Sequence, residues 1–346
     1  MSPAIAAAIA ALKQHEDLPR ELIEAVIDAM LAGGCSLDEM TEFLVRLQEK
    51  GETVTELVGA ASAMRRAMVP VRADFPIVLD TCGTGGDGSQ TFNISTAAAI
   101  VIAAAGVPVA KHGNRKVTSS TGSADVLAEL GINLDAPPAI VERCLKELKL
   151  CFCFAPRFHP AMREVSEARK RVVGPTIFNR LGPLTNPASA NRQVLGVGSA
   201  ELQMKLAQAL AQLGTQRSLV VRGEDGVDEL SLEGPTRVLE VTCSESPSDD
   251  RVTSFQWHPA DFGVECRSRG ELFADSPSSS ALCIREALSG RGGPCRDAVV
   301  INAAAGLWLA GASPDPQACQ SQAAAAIDSG QALALISQLS KLTSSS

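Results

Sequence analysis

The sequence is short of aromatic residues and of positive charge. It contains no tyrosine, its aromatic content is 3%, and its formal net charge is −8 over 346 residues. A protein that binds duplex nucleic acid normally carries a basic excess or a basic face. We therefore expect no nucleic-acid partner, and an interior built from Ala, Val, Ile and Leu, which suits packed helices and parallel strands.

Metal-binding cysteine patterns and membrane-spanning runs are also missing. The ten cysteines form no CxxC pair, and the four histidines are not spaced with them as zinc ligands would be. Cys151 and Cys153 lie in an apolar run, which favours buried free thiols. The longest apolar run, Ala97–Val109, contains Gly and Pro and is too short to cross a bilayer. The N-terminus lacks the basic start of a signal peptide, so we expect a cytoplasmic protein with no membrane contact.

The pattern of apolar and polar residues changes near residue 73, which predicts two domains. Before it, apolar residues recur at helical spacing, and Ser36–Glu39 and Thr53–Glu56 have the form of capping boxes. After it, strand, loop and helix alternate, which indicates a sheet with helices on its faces. Strands are predicted over Pro76–Asp80, Val107–Lys111, Gln193–Val197 and Ser218–Arg222, and helices over Asn93–Ala105, Ser123–Gly131 and Val299–Ala310.

Three polar segments carry weaker signals. Ser244–Arg251 is expected to form an exposed loop, and Asp275–Ser280 gives no clear structural signal. The tail Thr343–Ser346 is expected to be disordered.

The most informative segment is the glycine-rich loop after the first predicted strand. Gly83, Gly85, Gly86 and Gly88 let the backbone approach a ligand closely, so that its N–H groups can point at phosphate oxygens. The segment then enters a helix N-terminus, where anions are favoured. It matches neither the Walker A nor the Rossmann pattern. A tight strand-to-helix turn without a ligand is the alternative interpretation.

A second loop, 111–123, concentrates cations and hydroxyl groups. Lys111 can act as a point charge on a phosphate, and Arg115 as a two-pronged donor. A solvated surface loop explains the same residues equally well.

Two further segments hold charged candidates. Asp225–Glu229 follows a predicted strand, and adjacent carboxylates at a strand end can bind Mg²⁺ together with substrate oxygens. An acidic turn is the alternative. Arg169 lies in a basic cluster and could hold a substrate carboxylate, although a solvated helix face also fits that cluster.

Seven segments occur together in an order and with gaps that resemble those of the anthranilate phosphoribosyltransferase family. They are GTGGD (83–87), NIST (93–96), KHGNR (111–115), TGSAD (121–125), FAPRFHPAM (154–162), FNRLGPLTNPA (178–188) and VDE (227–229). The similarity extends over residues 1 to about 240.

The resemblance implies a fold, a reaction and a cofactor. The fold is α/β, with a small all-helical N-terminal domain (1–72, joined by helices from about 163–192) and a larger α/β domain (73–346). The larger domain has a mostly parallel sheet flanked by helices. The reaction moves phosphoribose from 5-phosphoribosyl-1-pyrophosphate to the amine of anthranilate, in the second step of tryptophan biosynthesis from chorismate. Two Mg²⁺ ions and a homodimer are also implied.

The resemblance also implies site residues. The sugar pyrophosphate would be held by Gly83, Gly86, Asp87, Thr91, Asn93, Ile94, Ser95, Thr96, Lys111, His112, Gly113, Asn114, Arg115, Lys116, Val117, Thr118, Ser119 and Ser123. Ser95, Asp228 and Glu229 would hold the metal, and Gly83, Asn114 and Arg169 would contact anthranilate. No catalytic base stands out, although His112 is a possible proton acceptor.

Two positions depart from the family's pattern, and two other functions compete with it. Pro175 replaces an expected arginine, whose ion pair would be lost or taken over by Arg171, and Phe158 replaces a tyrosine expected near the anthranilate channel. The competing functions are a related nucleoside phosphorylase and a non-catalytic nucleic-acid-binding relative. The first is typified by a KHSTGG-like loop, and the second predicts loss of the metal carboxylates and a basic surface.

Overall fold

The structure is a computed structural model that describes residues 2–115, 121–243 and 252–345. The chain begins with four helices, α1 Pro3–Leu12, α2 Arg20–Leu31, α3 Leu37–Lys50 and α4 Val54–Ala67. Both predicted capping boxes are present. The side chains of Ser36 and Thr53 accept hydrogen bonds from the backbone N–H groups of Glu39 and Glu56. In return, the carboxylates of Glu39 and Glu56 accept hydrogen bonds from the backbone N–H groups of Ser36 and Thr53. The helical start of the chain is therefore confirmed.

A seven-stranded sheet forms the centre of the rest of the described chain. Its strands are β1 Leu79–Gly83, β2 Val109–Gly113, β3 Leu150–Phe154, β4 Arg192–Gly196, β5 Arg217–Gly223, β6 Thr236–Thr242 and β7 Val252–Trp257. They lie in the order β3-β2-β1-β4-β5-β6-β7, and the first five are parallel while β6 and β7 are antiparallel. The predicted mostly parallel sheet is confirmed. Its strand order reverses between β1 and β4, where ligands of such sheets usually bind.

Helices cover both faces of this sheet. They are α5 Ile94–Ala104, α6 Ser123–Glu129, α7 Pro138–Leu148, α8 Ala155–Phe158, α9 Arg163–Arg171, α10 Phe178–Leu181, α11 Ala200–Gln212, α12 Pro277–Leu288, α13 Pro294–Ala310, α14 Pro316–Asp328 and α15 Gln331–Ser344. Strand residues alternate between two cores: Val194 packs with the core that contains α5 and α13, and Leu195 packs with the core that contains α1–α4 and α11. The second face of the sheet is therefore continuous with the helical start of the chain.

Part of the segment predicted to join the helical domain packs against it. Helix α9 contacts α3 and α2, and Val165, Ala168 and Phe178 are buried in the same core as the first four helices. The division of the chain at residues 72 and 73 stays a prediction.

Several predicted boundaries were wrong. The strand predicted over Pro76–Asp80 lies at Leu79–Gly83, and the one predicted over Val107–Lys111 lies at Val109–Gly113. Pairing with neighbouring strands carries both strands into glycines, for example through the register Gly83 to Gly196, and local hydrophobicity does not show this. Lys111 and His112 therefore lie on a strand, and Asn114 and Arg115 follow it outside regular secondary structure.

The C-terminal expectations also need correction. Thr343 and Ser344 belong to α15, because the hydroxyl and carbonyl of buried Thr343 accept hydrogen bonds from Asn133, both at 3.2 Å. Within Asp275–Ser280, helix α12 starts at Pro277, because Ser276 caps it. The loop predicted over 244–251 lies outside the described residues.

All ten cysteines are free thiols, and Cys151 and Cys153 are buried as predicted. None of the helices in the described ranges is long and apolar enough to cross a membrane.

Candidate active site

A cavity of about 240 Å³ opens at the carboxyl ends of β1 and β2, and we call it the donor cavity. Its position at the reversal of strand order is the one that the fold favours for a ligand. It is lined by Cys82–Gly85, Asp87, Ser89–Asn93, Ser95, Lys111–Arg115, Thr121–Ser123, Asp228 and Glu229.

The glycine-rich loop folds onto Asp228 at one side of this cavity. Gly85 and Gly86 have φ angles of 64° and 75°, in the left-handed region that favours glycine. The Gly85 N–H donates to Asp228 Oδ2 at 2.8 Å, and the Asp228 N–H donates to Asp87 Oδ2 at 3.3 Å. The loop thus holds a carboxylate as well as offering backbone to a ligand.

Asp228 and Glu229 form a crowded pair of carboxylates. Burial and the nearby Asp87 raise the pKa of Asp228 to about 7, and burial and Asp228 raise the pKa of Glu229 to about 8. Glu229 Oε1 accepts a hydrogen bond from the Ser95 N–H at 3.0 Å, which ties the pair to the start of α5. Negative charge is therefore concentrated here without full compensation.

This donor set fits Mg²⁺. A divalent cation would offset both the burial and the mutual repulsion that raise the two pKa values. Mg²⁺ is typically held by one or two carboxylates with water and substrate oxygens. Among the described residues, no three His, Cys, Asp or Glu side chains form a complete metal cage. The chain's own ligands, Ser95, Asp228 and Glu229, would therefore be completed by the substrate.

Lys111 lies buried beside this pair. Its Nζ donates to the carbonyl of Thr81 and to Ser95 Oγ, the latter at 3.3 Å. Burial lowers the pKa of Lys111, while Asp80 and Glu229 act in the opposite direction. Lys111 thus lies in the cavity lining next to Ser95 and close to the acidic pair, where burial opposes its positive charge and the neighbouring carboxylates favour it.

The other predicted donor contacts divide into three groups. Asp87, Thr91, Asn93, Gly113, Asn114, Arg115 and Ser123 line the cavity. Gly86 lies outside the lining, and the side chains of Ile94 and Thr96 are buried in α5. Lys116, Val117, Thr118 and Ser119 lie outside the described residues. The donor role of all three groups stays a prediction.

A second cavity of about 450 Å³, which we call the acceptor cavity, adjoins the first. Residues 82–84 and 112–114, at the ends of β1 and β2, line both. The remaining walls are Met64, Ala155, Pro156, His159, Pro160, Met162, Arg163, Ser166, Arg169, Phe178, Asn179, Gly182, Pro183 and Thr185. A flat, partly apolar ligand here would meet a phosphorylated ligand over the strand ends.

Arg169 is half-buried in the wall of the acceptor cavity. Burial lowers its pKa, and its guanidinium lies 5.7 Å from the centre of the Phe178 ring. Its Nη2 reaches Asn179 Oδ1 at a long 3.5 Å. No described carboxylate pairs with it, so its donors are available to an anionic ligand.

Two buried histidines face each other beside the shared wall. Their ring centres are 5.0 Å apart, and burial lowers the pKa of His112 to about 4 and that of His159 to about 3. His112 Nδ1 lies 3.0 Å from the carbonyl of Gly182, which can only accept, so Nδ1 carries the proton. The Nε2 atoms of both rings are buried and have no hydrogen-bond partner among the described residues. Because Nδ1 of His112 carries the proton, Nε2 is the acceptor nitrogen of that ring.

Neither of the two residues that depart from the family pattern lines the acceptor cavity. Phe158 is buried in the core and does not line the cavity, although Pro156 and His159 on either side of it do. Its effect on the anthranilate channel stays a prediction. The Pro175 carbonyl accepts from Gln48 Nε2 at 2.9 Å, and Arg171 pairs with Asp38 on α3 at 3.0 Å.

Asp80 and His159 are two residues of the site that sequence patterns did not single out. Asp80 is completely buried and accepts hydrogen bonds from Asn186 Nδ2 at 2.8 Å and from the His112 N–H at 3.2 Å. Asp80 lies on β1, and its bond to His112 holds the end of β2 in place. In the sequence, His159 stands between prolines and bulky residues, a pattern typical of a structural histidine. The structure places its ring against that of His112 in the wall of the acceptor cavity.

The fold and the site define a class of transferase. Residues 6–68 match the helical bundle domain of a glycosyl transferase family, and residues 76–333 match the α/β domain of the same family. Curated relatives narrow the class. The chain is 47% identical over 334 residues to the anthranilate phosphoribosyltransferase of Rhodopirellula baltica, which covers 96% of both chains. It is 43% identical over 350 residues to that of Geotalea uraniireducens, which covers 97% of this chain and 98% of the other.

Solved structures agree. The anthranilate phosphoribosyltransferase of Thermus thermophilus is 40% identical with a TM-score of 0.88, covering 97% of this chain and 99% of the other. That of Saccharomyces cerevisiae in complex with PRPP and Mg is 28% identical with a TM-score of 0.90, covering 100% and 99%. The yeast enzyme with 4-fluoroanthranilate is 28% identical with a TM-score of 0.85, covering 99% of each chain. This chain belongs to the anthranilate phosphoribosyltransferase family, and the likeness extends well beyond residue 240.

Proposed function

We propose that the protein transfers the 5-phosphoribosyl group from 5-phosphoribosyl-1-pyrophosphate to the amine of anthranilate, with Mg²⁺, and releases pyrophosphate. The observation that carries this proposal is the pair of adjoining cavities with one shared wall at the ends of β1 and β2. One cavity holds clustered carboxylates, hydroxyls and cations. The other holds the half-buried Arg169 and the exposed Arg163 in a wall of mixed apolar and polar residues. The product would enter tryptophan biosynthesis.

The donor cavity supplies the groups that a sugar pyrophosphate needs. Ser95, Asp228 and Glu229 would hold Mg²⁺, and the yeast relative's complex with PRPP and Mg supports this use of the site. Two ions are part of the proposal. When bound, Mg²⁺ neutralises the charge that develops on the departing pyrophosphate. Lys111 and Arg115 add positive charge from the protein, and Thr121, Gly122 and Ser123 line one side of the cavity.

The acceptor cavity orients anthranilate. The Arg169 guanidinium binds its carboxylate with two parallel hydrogen bonds, and Pro156, Pro183 and Phe178 contact the ring. Asn114 lies at the shared wall and directs the amine towards the ribose. An aromatic amine is largely unprotonated at neutral pH, so its orientation matters more than its deprotonation. His112, which is neutral, takes the proton at Nε2 once the new bond forms.

Assembly and location remain predictions. We propose a homodimer formed through the helical start of the chain, as the resemblance implies, and light scattering of the purified protein tests it. A cytoplasmic location is predicted from the sequence alone.

The test follows anthranilate fluorescence with purified protein. We expect anthranilate to be consumed only when the pyrophosphorylated ribose donor and Mg²⁺ are both present, and pyrophosphate to appear in equal amount. Omitting each component in turn supplies the controls. Unchanged fluorescence with all components present would overturn the proposal. Consumption of a nucleoside with free phosphate would instead support the nucleoside phosphorylase alternative.

A further inference from the structure

Asn93 stands at the N-terminus of α5 but does not cap it. Asparagine in this position usually accepts a hydrogen bond from the backbone N–H two or three residues later. No such bond forms here. Instead, Asn93 Oδ1 accepts from the hydroxyls of Thr121 at 2.7 Å and Ser280 at 2.9 Å. The Asn93 side chain therefore bonds to two hydroxyl groups and not to the backbone of α5. One of these hydroxyls, that of Thr121, belongs to the lining of the donor cavity.

Ser280 fixes which end of the Asn93 amide faces the cavity. Ser280 is fully buried on α12, and its Oγ accepts the Asn93 backbone N–H at 3.0 Å. Its single hydroxyl hydrogen is then directed to Asn93 Oδ1. A flipped amide would present Nδ2 to this hydroxyl and would break the two hydrogen bonds that the Ser280 and Thr121 hydroxyls donate to Oδ1, which is unfavourable. The amide therefore keeps Oδ1 on Ser280 and turns Nδ2 away from it.

The free end of the amide is a donor in the donor cavity. Asn93 lines this cavity, and no described residue accepts a hydrogen bond from its Nδ2. An N–H donor held in one orientation suits a phosphate or ribose oxygen, because little rotational freedom is lost when the ligand binds.

The same C-terminal segment holds the loop that precedes Asn93. The Phe92 N–H donates to the carbonyl of Leu272, and the Ala274 N–H donates to the carbonyl of Gln90, both at 2.9 Å. Residues 272–280 thus brace residues 90–93 through two backbone bonds and the Ser280 hydroxyl.

We propose that Ser280 is a positioning residue for the sugar-pyrophosphate donor, acting through the amide of Asn93. This inference rests on the proposed function, and it gives the C-terminal part of the chain a role in substrate binding. Ser280 itself lies behind Asn93 and contacts no substrate. Its effect must therefore pass through that amide and must disappear when the amide is absent.

The test is a double-mutant cycle of Ser280→Ala and Asn93→Ala. We expect Ser280→Ala to raise the KM for the ribose donor by about 5- to 10-fold, the equivalent of one lost hydrogen bond. The KM for anthranilate and kcat should stay within about twofold. In the Asn93→Ala background, Ser280→Ala should have no further effect on the donor KM.

A matched control comes from Ser279, the residue before Ser280 on the same helix. Ser279→Ala removes a hydroxyl from the capping box of α12 and does not touch Asn93. It should lower the melting temperature without changing the donor KM. If Ser280→Ala does not fold, Ser280→Cys keeps the side-chain volume with a weaker donor and should raise the donor KM in the same direction.

The outcomes separate the two proposals. If the wild-type protein does not consume anthranilate, the proposed function fails, and the double-mutant cycle has no wild-type KM values for comparison. If the wild type is active and the effects of Ser280→Ala and Asn93→Ala are additive, or the anthranilate KM rises equally, Ser280 has only a structural role. An unchanged donor KM in both Ser280 variants also overturns the positioning role.

Discussion

A single methyl group at Gly196 should disable the donor site. Gly196 ends β4 beside Gly83 of β1, and a Cβ built there would overlap the backbone carbonyl of Asp228. A Cβ at Gly83 would in turn meet the Asp228 carboxylate. Two adjacent strands therefore end in glycine where the chain of Asp228 crosses them. Close approach by another backbone is one of the physical reasons for glycine.

The size of the effect follows from what would have to move. The atoms that meet the new Cβ at Gly196 are backbone atoms, so no side-chain rotation relieves the overlap. Either β4 or the segment around Asp228 must shift by about 1 Å or more, and misplacement on that scale can cost about 100-fold in rate. Overpacking of this kind typically costs about 1–3 kcal/mol of stability, which a chain of this size can tolerate.

The assay compares Gly196→Ala with Gly234→Ala by anthranilate fluorescence, with the ribose donor and Mg²⁺ varied. A Cβ at Gly234 meets nothing within 4 Å, so this variant controls for the substitution itself. We expect Gly196→Ala to lose about 100-fold or more in kcat/KM for the donor while remaining folded by thermal melting, and Gly234→Ala to match the wild type. Equal kinetics in the two variants would refute the reasoning.

Three further predictions concern the carboxylates, the arginine and the histidines. Replacing Asp228 and Glu229 by Ala should abolish turnover without lowering the melting temperature of the metal-free protein, because their raised pKa values show that the charged pair is unfavourable in the fold. Arg169→Lys should raise the anthranilate KM by about 10- to 100-fold in the fluorescence assay and leave the donor KM unchanged, since lysine lacks the planar fork. Burial lowers the pKa of His112 and His159 from 6.5 to about 4 and about 3. The unfolded chain therefore binds more protons below pH 6.5. Each imidazole should remove about 2 kcal/mol from the free energy of unfolding between pH 7 and pH 5 in urea titrations.

The controls for these predictions come from the same regions. Arg163 also lines the acceptor cavity, but it is exposed and paired with Glu164 at 2.9 Å, so Arg163→Lys should leave both KM values unchanged. A large effect there, or none at Arg169, would contradict the carboxylate-binding role. His159→Asn should reduce the loss of stability at pH 5, and an unaltered pH profile would count against burial of a neutral ring. Residual turnover in the doubly substituted carboxylate variant would remove the metal site.

Features that depend on residues close in sequence were predictable. The capping box of Ser36 and Glu39 needs only a spacing of three, and the helix start at Asn93 follows from the adjoining Ser and Thr. The glycine loop and the pair Asp228–Glu229 were visible because their chemistry is concentrated in a few positions. The resemblance to a known family then linked segments that no local pattern connects.

Features that depend on distant contacts were not predictable in the same way. The strand β1 runs into Gly83 because Gly196 pairs with it across 113 residues, and no local propensity favours glycine in a strand. The hydroxyl of Ser280 reaches Asn93 across 187 residues from a segment with weak local signals. The neutral state of His159 likewise comes from burial by the fold, which its own sequence neighbours do not specify.

The shared wall of the two cavities explains why this fold suits a transfer between two bound molecules. Residues 82–84 and 112–114 line both cavities, and they are the ends of two paired strands of a central sheet. A donor held from the glycine-loop side and an acceptor held from the Arg169 side must therefore meet over backbone that neither ligand can easily displace. Groups on a rigid sheet hold reacting atoms in place at little entropic cost during the reaction. The segment around Asp228 and the brace at 272–280 reach the donor side from distant parts of the chain, so binding of the sugar pyrophosphate and its metal should be the step most sensitive to distant substitutions.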